Sequence, residues 1–292
     1  AGEIYANPGN LDGVQIWGDG ICSNGYPPQK GTTLAPGTCT AGWDTLAAGD
    51  VIILDDPNVV VPNLASTIDW DGKDKIGASK AVAVSRSLWA STSNSLFAWG
   101  MSMYPTTEWG QAYTAPVGCN TANGINMFDY TAFSITAAYD GTVVQVDPEG
   151  NGTWEASVNL DEGETWFDSS SSGGACPYIL QGGKVRSTDP AKPIQVVLLT
   201  GDIAPSQGYG SRDINLFPDD NLSSSYWLPV GNSSSTTSDV RAYIYNPGAT
   251  TLYVKCEKPS GSSVLTIAAG AVNSTFTLAD DQGGHCFAVT DA

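Results

Sequence analysis

The sequence predicts an all-β protein built from tandem antiparallel β-sandwich modules of the Ig-like kind. Short segments alternate apolar and polar residues with period two, and turn formers separate them at intervals of about 8–12 residues. No long segment shows the 3.6-residue period of an amphipathic helix. The composition agrees with many short strands and turns, because 33 of the 292 residues are glycine and only 14% are charged.

The clearest strands combine alternation with β-branched residues. They are AVAVSRS (Ala81–Ser87), TVVQVD (Thr142–Asp147) and TLYVKC (Thr251–Cys256). Turns are predicted where proline, glycine and aspartate cluster. These clusters are DPEGNG (Asp147–Gly152), DPAKP (Asp189–Pro193), FPDDN (Phe217–Asn221), NPGAT (Asn246–Thr250) and KPSGSS (Lys258–Ser263).

The chain also repeats itself. YTAPVG (Tyr113–Gly118) and YWLPVG (Tyr226–Gly231) share four of six residues, and similar strands precede each phrase. Matching opening halves start at Phe133 and Val240, and GGACPYI (Gly173–Ile179) aligns with GGHCFAV (Gly283–Val289). We interpret each phrase as the end of a module, which gives two and a half repeats. The modules are 1–118, 119–231 and the half module 232–292.

The half module leaves a sheet edge without its partner strands, which natural proteins seldom tolerate. Three arrangements would complete it. It docks on the divergent N-terminal region, or it takes strands from another copy, head to tail, and so builds a filament. Alternatively the five half modules are five propeller blades, although the alternation of two kinds of half argues against that.

Six cysteines and no CxxC pair indicate three disulfides and an oxidising compartment. The repeat favours sequential pairing, in which each bond lies within one module. The pairs are Cys22–Cys39, Cys119–Cys176 and Cys256–Cys286. Four N-x-S/T sequons indicate a glycosylated extracellular surface. They begin at Asn151, Asn221, Asn232 and Asn273.

The charge balance limits the partners. With 30 acidic against 12 basic residues the net charge is −18, so neither nucleic acid nor an anionic membrane surface is expected to bind. No apolar stretch approaches the length of a membrane span, about 18 residues, and no leader is recognised. A secreted protein would have lost its leader.

No catalytic set is found, so we expect no enzyme. The one histidine, His285, neighbours a predicted disulfide and is interpreted as a turn residue. No cofactor is expected unless calcium binds. Its weak candidate site is the loop with Asp69, Asp71 and Asp74, which lacks the spacing of an EF-hand. Most of the nine tryptophans, Trp227 among them, are expected in the core, and Trp70 and Trp109 are the candidates for exposed binding residues.

The phrase YTAPVG, followed by FSITAAYDGTVVQV and KVRSTDPAKPIQVVLLTG, resembles the repeat of the IgGFc-binding-protein N-terminal family over about Ile68–Val254. A family Leu-Gly before the tyrosine is reduced here to Gly110 in the first copy and is missing in the second. The resemblance implies extracellular, adhesive or structural proteins without catalytic residues. No residue here supports transferring the binding of Fc.

We therefore expect a secreted, extracellular or cell-surface structural subunit that assembles head to tail through β-strand complementation, with copies of itself as partners. The alternative is a non-catalytic adhesin that recognises glycans or other surface proteins through loops and exposed tryptophan.

Overall fold

The computed structural model describes residues 2–5, 45–46, 77–78, 81, 83–89, 98–121, 127–169, 176–201, 212–229, 240–279 and 282–290. The all-β prediction is confirmed, because these residues form strands and only two three-residue 3-10 helices, Thr106–Glu108 and Asp219–Asn221. None of the helices in this part of the chain is long and apolar enough to cross a membrane.

Five strands precede the main body. They are β1 (Gly2–Tyr5), β2 (Thr45–Leu46), β3 (Gly77–Ala78), β4 (Ser85–Trp89) and β5 (Ala98–Ser102). Strand β1 pairs with β2 and β3, and β4 forms an antiparallel hairpin with β5.

Eight strands form what we call the central sandwich. They are β6 (Ala112–Thr114), β7 (Tyr130–Ala137), β8 (Thr142–Asp147), β9 (Ala156–Leu160), β10 (Thr165–Asp168), β11 (Lys184–Ser187), β12 (Ile194–Gly201) and β13 (Arg212–Asn215). One sheet has the order β10-β7-β12-β13 and the other the order β6-β11-β8-β9. All pairs are antiparallel.

The two sheets share one core, and the sequence pattern explains which side chains enter it. In β8, Thr142, Val144 and Val146 are fully buried, while Val143 is exposed and Gln145 is half-buried, as period-two alternation requires. Strand β12, which lies between β7 and β13, is buried along nearly its whole length. Each fully buried Val, Leu or Ile stabilises the fold by about 1.5–3 kcal/mol.

The remaining strands form what we call the C-terminal unit. They are β14 (Ser225–Leu228), β15 (Val240–Arg241), β16 (Ile244–Tyr245), β17 (Leu252–Lys258), β18 (Gly261–Ile267), β19 (Val272–Asn273), β20 (Thr277–Leu278) and β21 (Gly284–Val289). One sheet has the order β14-β21-β17-β18, and β15 and β16 pair with β20 and β19. The core between them is smaller than that of the central sandwich.

The C-terminal unit repeats one sheet of the central sandwich strand by strand. Its sheet β14-β21-β17-β18 has the same order as β6-β11-β8-β9. In the central sandwich Tyr113 lies opposite Val185, and in the C-terminal unit Tyr226 lies opposite Cys286. The tyrosines of the two repeated phrases therefore occupy the same place in the two units, as their sequence alignment predicts.

The same register corrects one alignment. Val185 also lies opposite Val146, and Cys286 opposite Cys256, so Cys286 corresponds to Val185 and not to Cys176. The sequence contains two Gly-Gly pairs before β11, and Cys176 follows the first of them, Gly173-Gly174. That cysteine made the first pair resemble the segment before Cys286. The structure matches the second pair, Gly182-Gly183, with Gly283-Gly284.

Two of the three expected cysteine pairs are present. Cys119–Cys176 links residues 57 apart in the sequence, and Cys256–Cys286 joins residues that lie opposite each other on β17 and β21. In the loop-entropy account, closing a loop of either length destabilises the unfolded chain and so stabilises the folded protein by about 4 kcal/mol. Cys22 and Cys39 lie outside the described residues.

The strand pairing also bears on where the units begin. Tyr113 lies on β6, which pairs with β11 of the central sandwich, and Tyr226 lies on β14, which pairs with β21 of the C-terminal unit. Each phrase therefore supplies the first strand of the unit that follows it. This favours boundaries before Ala112 and before Ser225 over those predicted after Gly118 and after Gly231.

The central sandwich and the C-terminal unit touch through side chains. Tyr243 packs edge-on against Phe128 with ring centroids 5.1 Å apart. Gln181 Nε2 donates a hydrogen bond of 2.9 Å to the carbonyl oxygen of Gly270. Tyr243 immediately precedes β16 and packs against the core of the central sandwich, whereas its neighbours Ala242 and Ile244 pack against the core of the C-terminal unit.

Candidate binding edge of the C-terminal unit

In the central sandwich, strand β7 has a partner on each side. It pairs with β10 on one edge, and with β12 along eight register positions from Tyr130↔Gly201 to Ala137↔Ile194 on the other. Strand β13 then covers the far edge of β12. This arrangement shows what a completed unit of this design looks like.

In the C-terminal unit β15 and β16 correspond to β7. Among the described residues each of them has a partner strand on one side only. Ala242 N–H donates to Phe276 O at 3.1 Å and Asn246 N–H donates to Ala271 O at 3.0 Å, both toward β19 and β20. Backbone groups alternate in direction along a strand, so the N–H groups of Arg241 and Tyr243 point to the opposite edge. Among the described residues no strand pairs with that edge. We call it the open edge.

Side-chain burial differs between the two units at matching positions. Tyr113 is fully buried in the central sandwich, whereas Tyr226 is 41% exposed. Phe133 on β7 is also fully buried, whereas Val240 at the matching position is 37% exposed. Tyr226 and Val240 are thus exposed at the two positions whose counterparts, Tyr113 and Phe133, contact β12 in the central sandwich.

The hydrogen bonds of the two tyrosine hydroxyls also differ between the central sandwich and the C-terminal unit. In the central sandwich Tyr113 Oη accepts a hydrogen bond from Gly110 N–H at 2.9 Å and donates one to Ile194 O on β12 at 2.5 Å. Burial raises the pKa of Tyr113, which keeps its hydroxyl protonated as a donor. In the C-terminal unit Tyr226 Oη accepts a hydrogen bond from Ser223 N–H at 2.8 Å, but the described residues contain no counterpart of β12 to accept a hydrogen bond from Tyr226.

A second feature lies on the outer face of the same unit. The Trp227 side chain is 79% exposed and stacks on the His285 ring, with centroids 4.3 Å apart and planes 10° apart. The Phe287 ring follows at 4.9 Å from His285, and Ser225 Oγ lies 2.8 Å from His285 Nε2. We call Trp227, His285 and Phe287 the aromatic row. The hydrogen bond between Ser225 Oγ and His285 Nε2 holds the imidazole beside the indole.

The central sandwich does not carry this row. The register places Thr114, Lys184 and Arg186 where the C-terminal unit has Trp227, His285 and Phe287. Arg186 instead lies under the Trp154 ring, 4.0 Å from its centroid, and donates to Gln145 Oε1. The aromatic row is therefore a property of one unit and not of the shared design.

The structure changes two of the expectations for single residues. His285 was expected in a turn, but it lies on β21, where it is half-buried and its ring lies between two aromatic rings. Trp227 was expected in the core, yet it is the most exposed large apolar side chain of those described. The alternating pattern of β14 did not reveal which face would be covered.

The other candidate residues are placed as follows. Trp109 is half-buried and its Nε1 donates to Tyr104 O at 3.0 Å, while Trp70 and the candidate calcium ligands Asp69, Asp71 and Asp74 lie outside the described residues. In the part of the chain that the structure describes, no group of three or more His, Cys, Asp and Glu side chains could hold a metal ion. Among the sequons, Asn151 and Asn221 are exposed, Asn273 is half-buried and Asn232 lies outside the described residues.

The start of the chain carries a third copy of the Tyr-x-x-Pro spacing, which the repeated phrases alone did not point to. Tyr5 and Pro8 repeat the Tyr-x-x-Pro spacing of the two phrases. Tyr5 on β1 lies opposite Gly77 on β3, and the two are as far apart in the sequence as Tyr113 and Val185, which lie opposite each other in the central sandwich. The shared spacing indicates that β1 opens an N-terminal unit as β6 and β14 open theirs.

The comparisons with known proteins agree with a duplicated chain. A family model described as IgGFc binding protein matches twice, over residues 44–241 and over residues 102–290. The two matches overlap over residues 102–241, as internal duplication allows. No curated protein and no solved structure matches the chain.

Proposed function

We propose a function for this chain, which belongs to the IgGFc binding protein family, from its family and from the open edge of its C-terminal unit. Family membership suggests a binding module for protein partners, and the disulfides fit an extracellular protein. On this basis we propose that the chain is an extracellular structural subunit that joins other copies of itself head to tail. The junction is the open edge of the C-terminal unit, completed by strands of the next copy.

The observation that carries the proposal is the difference between Tyr226 and Tyr113. Tyr113 is buried and its hydroxyl donates a hydrogen bond to β12, whereas Tyr226 is exposed and no counterpart of β12 among the described residues accepts a hydrogen bond from it. An added strand would bury Tyr226 and Val240 and would satisfy the N–H groups of Arg241 and Tyr243. Such an interface is heterologous, since donor and acceptor surfaces differ, and it therefore propagates.

Light scattering over a concentration series tests the proposal. The mean mass of the purified protein should rise with concentration, and electron microscopy should show chains of units. Val240→Lys should weaken association more than about 100-fold, because an unpaired charge buried at the junction costs about 3–5 kcal/mol.

Val264→Lys is the matched control. Val264 is exposed to a similar degree, 43%, but lies on β18 away from the open edge, so this variant should associate like the wild type. A wild-type protein that stays monomeric at all concentrations, or equal behaviour of the two variants, would contradict the proposal.

A second candidate function has an observation of its own. The exposed Trp227 ring of the aromatic row can stack on a sugar ring or pack on a protein surface, which favours an adhesin that binds glycans or other surface proteins. A glycan array probed with monomeric Val240→Lys protein tests it. Trp227→Ala should abolish selective binding, while Phe167→Ala, which removes a ring 49% exposed on β10, should not.

A further inference from the structure

We propose that the face of the Trp227 indole that is turned away from His285 is a subsite for the guanidinium group of an arginine side chain of a basic partner protein. The proposal rests on the second candidate function, binding through the aromatic row, and names the chemistry that the row recognises. It is carried by the stacking geometry of the row, by the place of β14 in its sheet, and by the way this chain holds its own cations.

One face of the Trp227 indole is covered and the other is not. The indole and the His285 ring are 10° from parallel, with centroids 4.3 Å apart, so the imidazole covers one face. Among the described strands β14 pairs with β21 alone, and β21 carries His285. Since Trp227 is 79% exposed, its second face is turned away from the sheet toward solvent. We call this second face the open face.

The other end of the aromatic row already carries a cation. Lys255 Nζ lies 5.9 Å from the centroid of the Phe287 ring and forms an ion pair of 2.6 Å with Glu257. The contacts therefore run from the ammonium group through the phenyl ring and the imidazole to the indole. In the part of the chain that the structure describes, no cation continues this series over the open face of Trp227.

The chain places its own cations on aromatic rings at other sites too. The Arg186 guanidinium lies 4.0 Å from the centroid of the Trp154 ring, and Lys258 Nζ lies 5.3 Å from that of Phe276. Of the aromatic rings, indole attracts a cation most strongly, and the planar guanidinium stacks on it. The open face of Trp227 is a second indole of the kind that Arg186 covers, so a guanidinium group fits it.

The charge of the whole chain also favours a basic partner. With 12 basic against 30 acidic residues and a net charge of −18, the chain attracts cationic groups over a distance and speeds their encounter. Tryptophan and arginine are enriched among the residues that dominate the binding energy of protein interfaces. A neutral sugar ring can stack on the same indole but gains nothing from this charge. The observations therefore favour arginine over a sugar.

The test uses His285, the single histidine of the chain, as an NMR reporter, because its ring lies against Trp227 and no other imidazole overlaps its signals. The 292-residue chain is titrated at constant pH with an acetylated and amidated Gly-Arg-Gly peptide. A second titration uses the same peptide with citrulline, which keeps the planar group and removes its charge. The arginine peptide should shift the His285 signals to saturation. The citrulline peptide should bind at least about fivefold more weakly, the factor that a cation on an exposed ring supplies.

Three variants assign the binding to the indole. Trp227→Leu keeps an apolar side chain without a ring and should abolish the saturable shift. Trp227→Phe should bind more weakly than the wild type but still prefer arginine to citrulline, because a phenyl ring attracts a cation less than an indole does. Phe167→Ala removes a different exposed ring and should bind like the wild type. Melting temperatures equal to that of the wild type show that the variants are folded.

The outcomes separate this inference from the candidate function on which it rests. Equal affinity for the two peptides, or wild-type affinity in Trp227→Leu, would overturn the arginine subsite. Methyl glucoside that shifts the His285 signals where the arginine peptide does not would also overturn it, and would leave the aromatic row standing as a glycan site. If neither ligand shifts these signals and the glycan array shows no dependence on Trp227, both the inference and the second candidate function are wrong.

Discussion

At the scale of single residues, the burial and the hydrogen bonds of one tyrosine in each unit depend on whether a counterpart of β12 lies beside it. Tyr113 and Tyr226 occupy the same place, accept a hydrogen bond from the backbone three residues earlier, and differ in the second bond and in burial. The sequence predicts that the two tyrosines correspond, because the phrases match. It could not predict their different surroundings, which depend on a strand about 80 residues away along the chain.

The contrast between the two tyrosines can be measured by removing their hydroxyls. Tyr113→Phe leaves Gly110 N–H and Ile194 O buried without partners, and should destabilise the protein by about 1–3 kcal/mol. Tyr226→Phe removes a bond to the exposed Ser223 N–H and should change stability far less. Chemical denaturation of the monomeric Val240→Lys protein with each substitution gives the comparison, and equal losses would contradict the assignment of matching places in unequal surroundings.

At the scale of elements, the sequence predicts strands better than it predicts their neighbours. The segments around Thr142 and Leu252 are strands as their alternation requires. The order of the strands in each sheet and the role of the repeated phrase as a first strand come from pairing over long sequence separations, which period-two patterns do not encode. The mistaken match of Cys176 with Cys286 has the same origin.

The register match predicts a new disulfide. Val146 and Val185 lie opposite each other and are fully buried, at the places of Cys256 and Cys286. Val146→Cys/Val185→Cys should therefore form a bond within the central sandwich, detected by loss of free thiols and by mass spectrometry. In the loop-entropy account it should stabilise the oxidised protein by up to about 4 kcal/mol relative to its reduced form. Persistent free thiols in the folded protein would contradict the register match.

The unit boundaries can be tested with two fragments. Residues 104–222 contain all eight strands of the central sandwich, whereas residues 119–231 lack β6 and with it the buried Tyr113. The first fragment should unfold cooperatively and show dispersed NMR signals. The second should be strongly destabilised, since it exposes the edge of β11 and leaves a large cavity in the core. A second fragment as stable as the first would restore the boundary after Gly118.

At the scale of the whole molecule, the chain is a series of related β units in which the last described unit lacks the counterparts of β12 and β13. The family and the all-β class follow from sequence patterns that the structure and the family model confirm. The site of assembly could not be predicted from sequence patterns, because the open edge is recognised only when the strand pairing of the two units is compared. The proposed junction uses the architecture of the protein itself as its template.

Amide hydrogen exchange, resolved by residue, measures the state of the open edge most directly. In the central sandwich the N–H groups of Ser134 and Thr136 point toward β12, and they should exchange slowly. In monomeric Val240→Lys protein the matching groups of Arg241 and Tyr243 should exchange rapidly, and in the assembled wild type they should become as slow as Ser134 and Thr136. If Arg241 and Tyr243 are already protected in the monomer, the edge is closed within one chain and the account of an acceptor site is contradicted.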